Sequence, residues 1–120
     1  MRVLVALIIV ALSLLAGRPA AAHAELERAN PRVGATLTAA PPQLELFFTE
    51  PIEPVFSTVQ VLGPNGQPVS ANKPTLDPAD GKHLLLALPP LGAGAYKVVW
   101  RVVSVDTHVT NGDFTFRVAP

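Results

Sequence analysis

The sequence predicts an all-β protein, an immunoglobulin-like or Greek-key β-sandwich of about seven strands, carried behind a removable export segment. Three observations predict it. Short apolar runs alternate inward and outward with a period of two. Clusters of Gly, Pro, Asn and Asp separate those runs. The chain also has 13 prolines, most of them between the runs, and these exclude long helices because proline lacks an amide donor and clashes with the preceding turn.

The first element is the export segment, residues 1–22. Arg2 supplies a positive start, and residues 3–16 form an apolar run interrupted only by Ser13. Gly17, Arg18 and Pro19 break it ahead of an A-x-A cleavage pattern. The run is shorter than the roughly 20 apolar residues of a membrane-spanning helix. Ala20-x-Ala22 predicts a cut before His23, while Ala22-x-Ala24 fits the same rule and predicts a cut before Glu25. With the first cut, residues 23–120 form one domain of modest core size.

The strands follow in order. Residues 44–49 (L-E-L-F-F-T) put Leu44, Leu46 and Phe48 on one face, and residues 50–54 (E-P-I-E-P) read as a rigid connector. Residues 58–62 point Val59 and Val61 inward. Residues 63–66 are a turn with the Asn-Gly hairpin signal, from which 67–70 returns as a strand. A second turn at 77–81 leads into a buried strand at 83–88, and a loop at 89–94 follows. The longest strand, 95–104, sets Tyr96, Val98, Trp100 and Val102 against Lys97, Val99, Arg101 and Val103. Residues 109–112 turn into the last strand, where Phe114, Phe116 and Val118 face inward. Trp100 and Tyr96 share a face with Val98 and Val102, so they fill the core and do not form a binding platform.

Charge and sulfur narrow the function. Loss of Arg2 and Arg18 with the leader leaves seven basic and nine acidic residues, which argues against nucleic acid or an anionic membrane as partner. No second apolar stretch approaches spanning length, so the mature protein is expected to be soluble. There is no cysteine, and the only methionine is Met1. Thiolate chemistry and a soft-ligand Cu(I) site are therefore excluded, and any metal site is built from nitrogen and oxygen.

Three histidines remain: His23, His83 and His108. A histidine at a free N-terminus offers its α-amine and its imidazole to one metal. Asp106 and His108 are two apart, so an extended strand points both to one face, just past the longest strand. Loop tips on a rigid sandwich are common places for sites. With His23 near that tip, three nitrogens and one oxygen converge, a donor set that suits Cu(II). Such binding weakens in acid, since the amine titrates near about 8 and must be deprotonated to bind. Asp106 either ligates directly or orients His108 from behind. It also fits the plainer role of capping its own turn. His83 reads as a surface strand residue, with no acidic or histidine partner at ligand spacing. Glu25 and Glu27 are near enough in sequence to assist a metal, but read as a solvated strand edge.

These residues resemble the CopC family of exported copper-binding proteins. The resemblance spans the mature chain: His23-Ala24-Glu25-Leu26, Asn30-Pro31 and Gly34, then F-F-T-E-P-I at 47–52. It is most specific at 96–112, which matches Y-x-V-x-W-R-V-x-S-x-D-x-H-x-x-x-G at every fixed position, and continues into Phe114-Thr115-Phe116. The resemblance implies a Greek-key sandwich, cleavage after Ala22, and one Cu(II) held by His23, Asp106 and His108 in a non-enzymatic, periplasmic protein of copper homeostasis or resistance. Some members have a separate Cu(I) site in a methionine-rich loop, which this chain cannot build. The family is also linked to an inner-membrane copper importer of the CopD type, an implied partner. Two other readings remain open on the residues alone. One is an oxidative enzyme using a histidine brace on copper, and the other is a metal-free structural module.

Overall fold

A computed structural model describes residues 23–70 and 73–120; the expected export segment, 1–22, lies outside the described residues. Among the described residues, eight strands form two four-stranded sheets. They are β1 (Leu26–Asn30), β2 (Thr36–Leu37), β3 (Gln43–Phe48), β4 (Thr58–Leu62), β5 (Thr75–Asp77), β6 (Asp80–Ala87), β7 (Gly94–Val103) and β8 (Val109–Val118). One sheet runs β1-β3-β6-β5 and the other β2-β8-β7-β4. All pairs are antiparallel except β2 with β8. The chain changes sheet after each of β1 to β4 and again after β6, so the all-β architecture is a Greek-key sandwich.

The core lies between the sheets, where alternation places it. Leu44, Leu46 and Phe48 of β3 and Leu84 and Leu86 of β6 face Val59 and Val61 of β4, Val98 and Val102 of β7, and Phe114, Phe116 and Val118 of β8. All are buried. Trp100 meets Phe48 edge to face, with ring centroids 5.3 Å apart, which joins the sheets through the ring quadrupoles. Tyr96 stacks on Phe116 and donates its hydroxyl to Gly92 O at 2.6 Å, so its polar end is satisfied. Both aromatics are core residues, as their alternation predicts. Among the described residues, no helix is long and apolar enough to cross a membrane. A 3₁₀ turn, Pro54–Phe56, occupies the connector between β3 and β4.

Four expectations are corrected. The last strand begins at Val109, because Val109–Gly112 pair fully with Trp100–Val103. Residues 67–70 do not form a strand. Pro68 has no amide to donate, so no continuous ladder forms: the segment is held by an isolated bridge to Leu62, by Val69 N–H to Val61 O and Gly63 N–H to Gln67 O, and by Val61 N–H to the Ser70 hydroxyl. The turn after β5 is tighter than 77–81, since Asp77 pairs with Asp80.

His83 is not a surface residue; it is 8% exposed. It stacks on Phe47 at 4.0 Å, and its ring lies between two carboxylates, with Nδ1 3.0 Å from Asp77 Oδ2 and Nε2 3.2 Å from Glu45 Oε1. Nε2 makes no aligned hydrogen bond. Phe47 is capped on its other side by Arg28, whose Cζ is 3.6 Å from the ring centroid. The row Arg28–Phe47–His83 crosses β1, β3 and β6 in register. Strand pairing brings these partners together, and sequence spacing does not display it.

Gly112 lies directly opposite Trp100 in the β7–β8 ladder, so a Cβ there would stand 2.5 Å from the indole ring. Gly112→Ala is expected to destabilise the fold by about 1–3 kcal/mol through overpacking. Urea unfolding followed by fluorescence of Trp100, the single tryptophan, checks this.

Candidate metal centre

The centre is built on the β7–β8 hairpin, whose ladder runs unbroken from Gly94↔Val118 to Val103↔Val109. Such a ladder holds its closing loop, residues 104–108, on a rigid support. The loop does not stay extended, as the sequence reading supposed. Thr107 N–H donates to Ser104 O at 2.8 Å, closing a turn, and Thr107 has φ = +71°. That region is unfavourable for a β-branched residue, so the turn holds local strain. The loop is also tied sideways: Val105 N–H donates to Pro51 O at 3.0 Å, and Ser104 bridges Ile52.

The turn still brings Asp106 and His108 together. Asp106 Oδ2 lies 3.1 Å from His108 Nδ1. Ser104, 1% exposed beneath them, links both. Its hydroxyl donates to Asp106 Oδ1 and accepts the His108 N–H at 3.2 Å. Both carboxylate oxygens of Asp106 are thus engaged. With the proton of His108 on Nδ1, the ring donates to Asp106 and leaves an Nε2 lone pair free. The Ser104 hydroxyl, and to a lesser degree His108, hold the Asp106 carboxyl below the usual carboxylate range, against a partial desolvation that pushes it up.

His23 arrives from the start of the chain. Thr49, just beyond β3, extends the β1–β3 pairing: its N–H donates to Glu25 O and its Oγ1 accepts the Glu25 N–H, both at 2.9 Å. Ala24 is fully buried, and His23 itself is exposed. Its ring meets that of His108 edge to face, with centroids 4.6 Å apart and planes at 82°. The fold therefore gathers His23, Asp106 and His108 at one rim. It does not present them as a closed cage: among the described residues no three His, Asp or Glu side chains converge tightly enough to hold an ion as they stand. Glu27 borders a separate shallow depression of about 610 Å³ that none of these three residues lines, and only the backbone of Glu25 joins the bonds around the histidines. Ser104 and Thr49 escaped the sequence reading of the site. Both stood in the sequence only as letters of the family pattern, Ser104 two residues before Asp106 and Thr49 within F-F-T-E-P-I at 47–52.

Comparison with known proteins bears on this centre. A family model described as the CopC domain matches residues 26–119. The chain is 39% identical over 98 residues to protein YobA of Escherichia coli K12, covering 81% of this chain and 79% of YobA. It is 35% identical over 105 residues to copper resistance protein C of Pseudomonas syringae pv. tomato, covering 82% of each. It is 30% identical over 99 residues to the copper transport protein CutJ of Bacillus subtilis, covering 81% of this chain but 18% of that protein. Among solved structures it superposes on CopC from Methylosinus trichosporium OB3b with a TM-score of 0.77 at 31% identity, covering 82% of this chain and 95% of that one. It superposes on PcoC, a methionine-rich copper resistance protein from Escherichia coli, with a TM-score of 0.71 at 36% identity, covering 81% and 99%.

The lowered carboxyl pKa of Asp106 fixes a sign. The ionised group stabilises the folded loop above the ordinary carboxylate pKa of about 3.9, and that contribution is lost as pH falls through the folded value. Ser104→Ala is expected to move the Asp106 titration upward, read as the carboxyl ¹³C shift against pH in the metal-free protein.

Proposed function

The chain belongs to the CopC domain family, and on that premise we propose that it is an exported, periplasmic carrier or buffer of one Cu(II), held by His23, Asp106 and His108. The observation that carries this reading is the contact of the His23 and His108 rings at 4.6 Å, with Asp106 on Nδ1 of His108. Processing before His23 adds the α-amine to the set. The donors fit the ion: nitrogen and oxygen without sulfur suit the oxidised metal, and divalent copper stands at the top of the first-row affinity order. The chain is no match for the methionine-rich character of its relative PcoC, since its one methionine is Met1. Copper here is cargo.

Each side chain has a part. His23 and His108 present imidazole nitrogen. Asp106 holds the His108 ring by its Nδ1–H, which raises the basicity of the other nitrogen and limits its rotation. Its oxygens join the metal if that hydrogen bond is exchanged for a ligand bond. Small side-chain rotations are needed, since the three groups do not enclose an ion as they stand. Acid releases the metal, because protons compete for the amine and both rings. Carriage is favoured over catalysis by the position of Asp106. Enzymes with a histidine brace need a copper position open to oxygen, and Asp106, beside His108, would take it up when it ligates; the hollow beside it, about 200 Å³, is bordered by Glu50, Pro51 and the loop itself. A copper-transporting membrane protein of the CopD type is the proposed partner. The presence of a matching region within the longer copper transport protein CutJ supports that pairing.

Titration calorimetry and electron paramagnetic resonance on the exported protein test the reading. One Cu(II) per chain is expected, with affinity reduced about tenfold or more by His108→Ala or by one extra residue ahead of His23. An affinity unchanged by both would contradict it.

A further inference from the structure

We propose that Thr110 is a positioning residue for the metal centre, setting the distance between His23 and His108 through the carbonyl of Ala24; this rests on the Cu(II) reading of that centre. Residues at a chain start fray unless something holds them. Here the residue after exposed His23 is fully buried, and its carbonyl accepts a hydrogen bond from Thr110 Oγ1 at 2.6 Å. That bond joins positions 86 residues apart. It also joins the two segments that bear the histidines, the chain start ahead of β1 and the loop that runs into β8. Thr110 is two residues beyond His108 on β8, and Ala24 is one residue beyond His23.

The second hold comes from the other sheet. Thr49 takes both backbone groups of Glu25 at 2.9 Å, while its hydroxyl lies a long 3.4 Å from the His23 carbonyl. Thr49 fixes the chain after Ala24 and says little about where His23 points. The Thr110 bond is the short tie nearest to the imidazole. The path from one ring to the other therefore runs through a single hydrogen bond. A valine at 110 keeps the shape of threonine and removes the donor, leaving the Ala24 carbonyl buried without this partner.

The consequence is preorganisation. A site whose donors are held near their binding positions loses less freedom on taking the ion and takes it in one arrangement. A purely structural bond would instead affect the fold and leave the metal spectrum alone. The two cases separate in an experiment on protein purified from the exported fraction, comparing wild type with Thr110→Val and Thr110→Ser. Each is loaded with one equivalent of Cu(II). Affinity is read by competition with a chelator and the coordination by electron paramagnetic resonance. Nuclear Overhauser contacts between the rings of His23 and His108 are read in the metal-free proteins, and thermal unfolding is followed alongside.

The expected result for Thr110→Val is an affinity about tenfold lower, because the ordering of His23 then has to accompany copper binding. Its spectrum should split into a mixture of copper species, and its ring-to-ring contacts should vanish. Thr110→Ser, which keeps the hydroxyl, should restore the single spectrum and the contacts. A Thr110→Val protein that melts lower but keeps the wild-type affinity, spectrum and ring contacts would overturn the proposal. If wild type takes no copper at all, the metal reading fails with it as a site for the ion. The ring contacts in the metal-free proteins still decide whether Thr110 positions His23.

Discussion

The unbroken ladder between β7 and β8 is the constraint on which the rest depends. Its register fixes which residues close the hairpin, and therefore puts Ser104, Asp106 and His108 on one short loop. The same register sets Trp100 over Gly112 and so holds the indole against Phe48 on the opposite sheet. A shift of one residue would turn every core side chain of these strands outward. It would also move Thr110 away from Ala24 and His108 away from His23. The packing of the sandwich and the geometry of the rim are consequences of one alignment.

The rim shows how a rigid frame handles a chain start. Glu25 is tied to Thr49 just beyond β3, and Ala24 to Thr110 of β8, so both sides of the sandwich hold the segment that carries His23. The loop facing it stores strain at Thr107 and relieves it with local bonds: Thr107 Oγ1 to Asp106 O at 2.6 Å, and the Ser104 hydroxyl under Asp106. Sites that must offer donors in one arrangement often keep such strain, because the surrounding structure fixes what the free chain would not adopt.

Much of this was legible from residues alone, and the failures have a common cause. Alternation identified β3, β4, β7 and the second half of β8 together with their buried faces, and a continuous apolar run marked β6 as a buried strand. Of the four edge strands, β4 shows its alternation openly, whereas β1, β2 and β5 carry too few apolar residues at alternate positions and exist through their neighbours, which no local pattern displays. Asp106 and His108 do meet, but a turn brings them together and not the extended strand that the spacing pointed to. His83 was misread for a related reason. Its partners Phe47, Glu45 and Asp77 come from two other strands, and only the register of β3, β6 and β5 makes them a cluster. Ser104 and Thr49 contribute single hydroxyls whose value depends on where neighbouring strands lie.

Family membership, a chain with no cysteine and no methionine beyond Met1, and two histidine rings in contact converge on one proposal: the rim is a nitrogen and oxygen seat for Cu(II) that bridges residue 23 and the β7–β8 loop. X-ray absorption at the copper edge of the loaded, exported protein tests it most directly, since the scattering counts imidazole rings and distinguishes sulfur from lighter donors. The account predicts one copper environment with two imidazoles and no sulfur scatterer. A shell with one imidazole or none would contradict it.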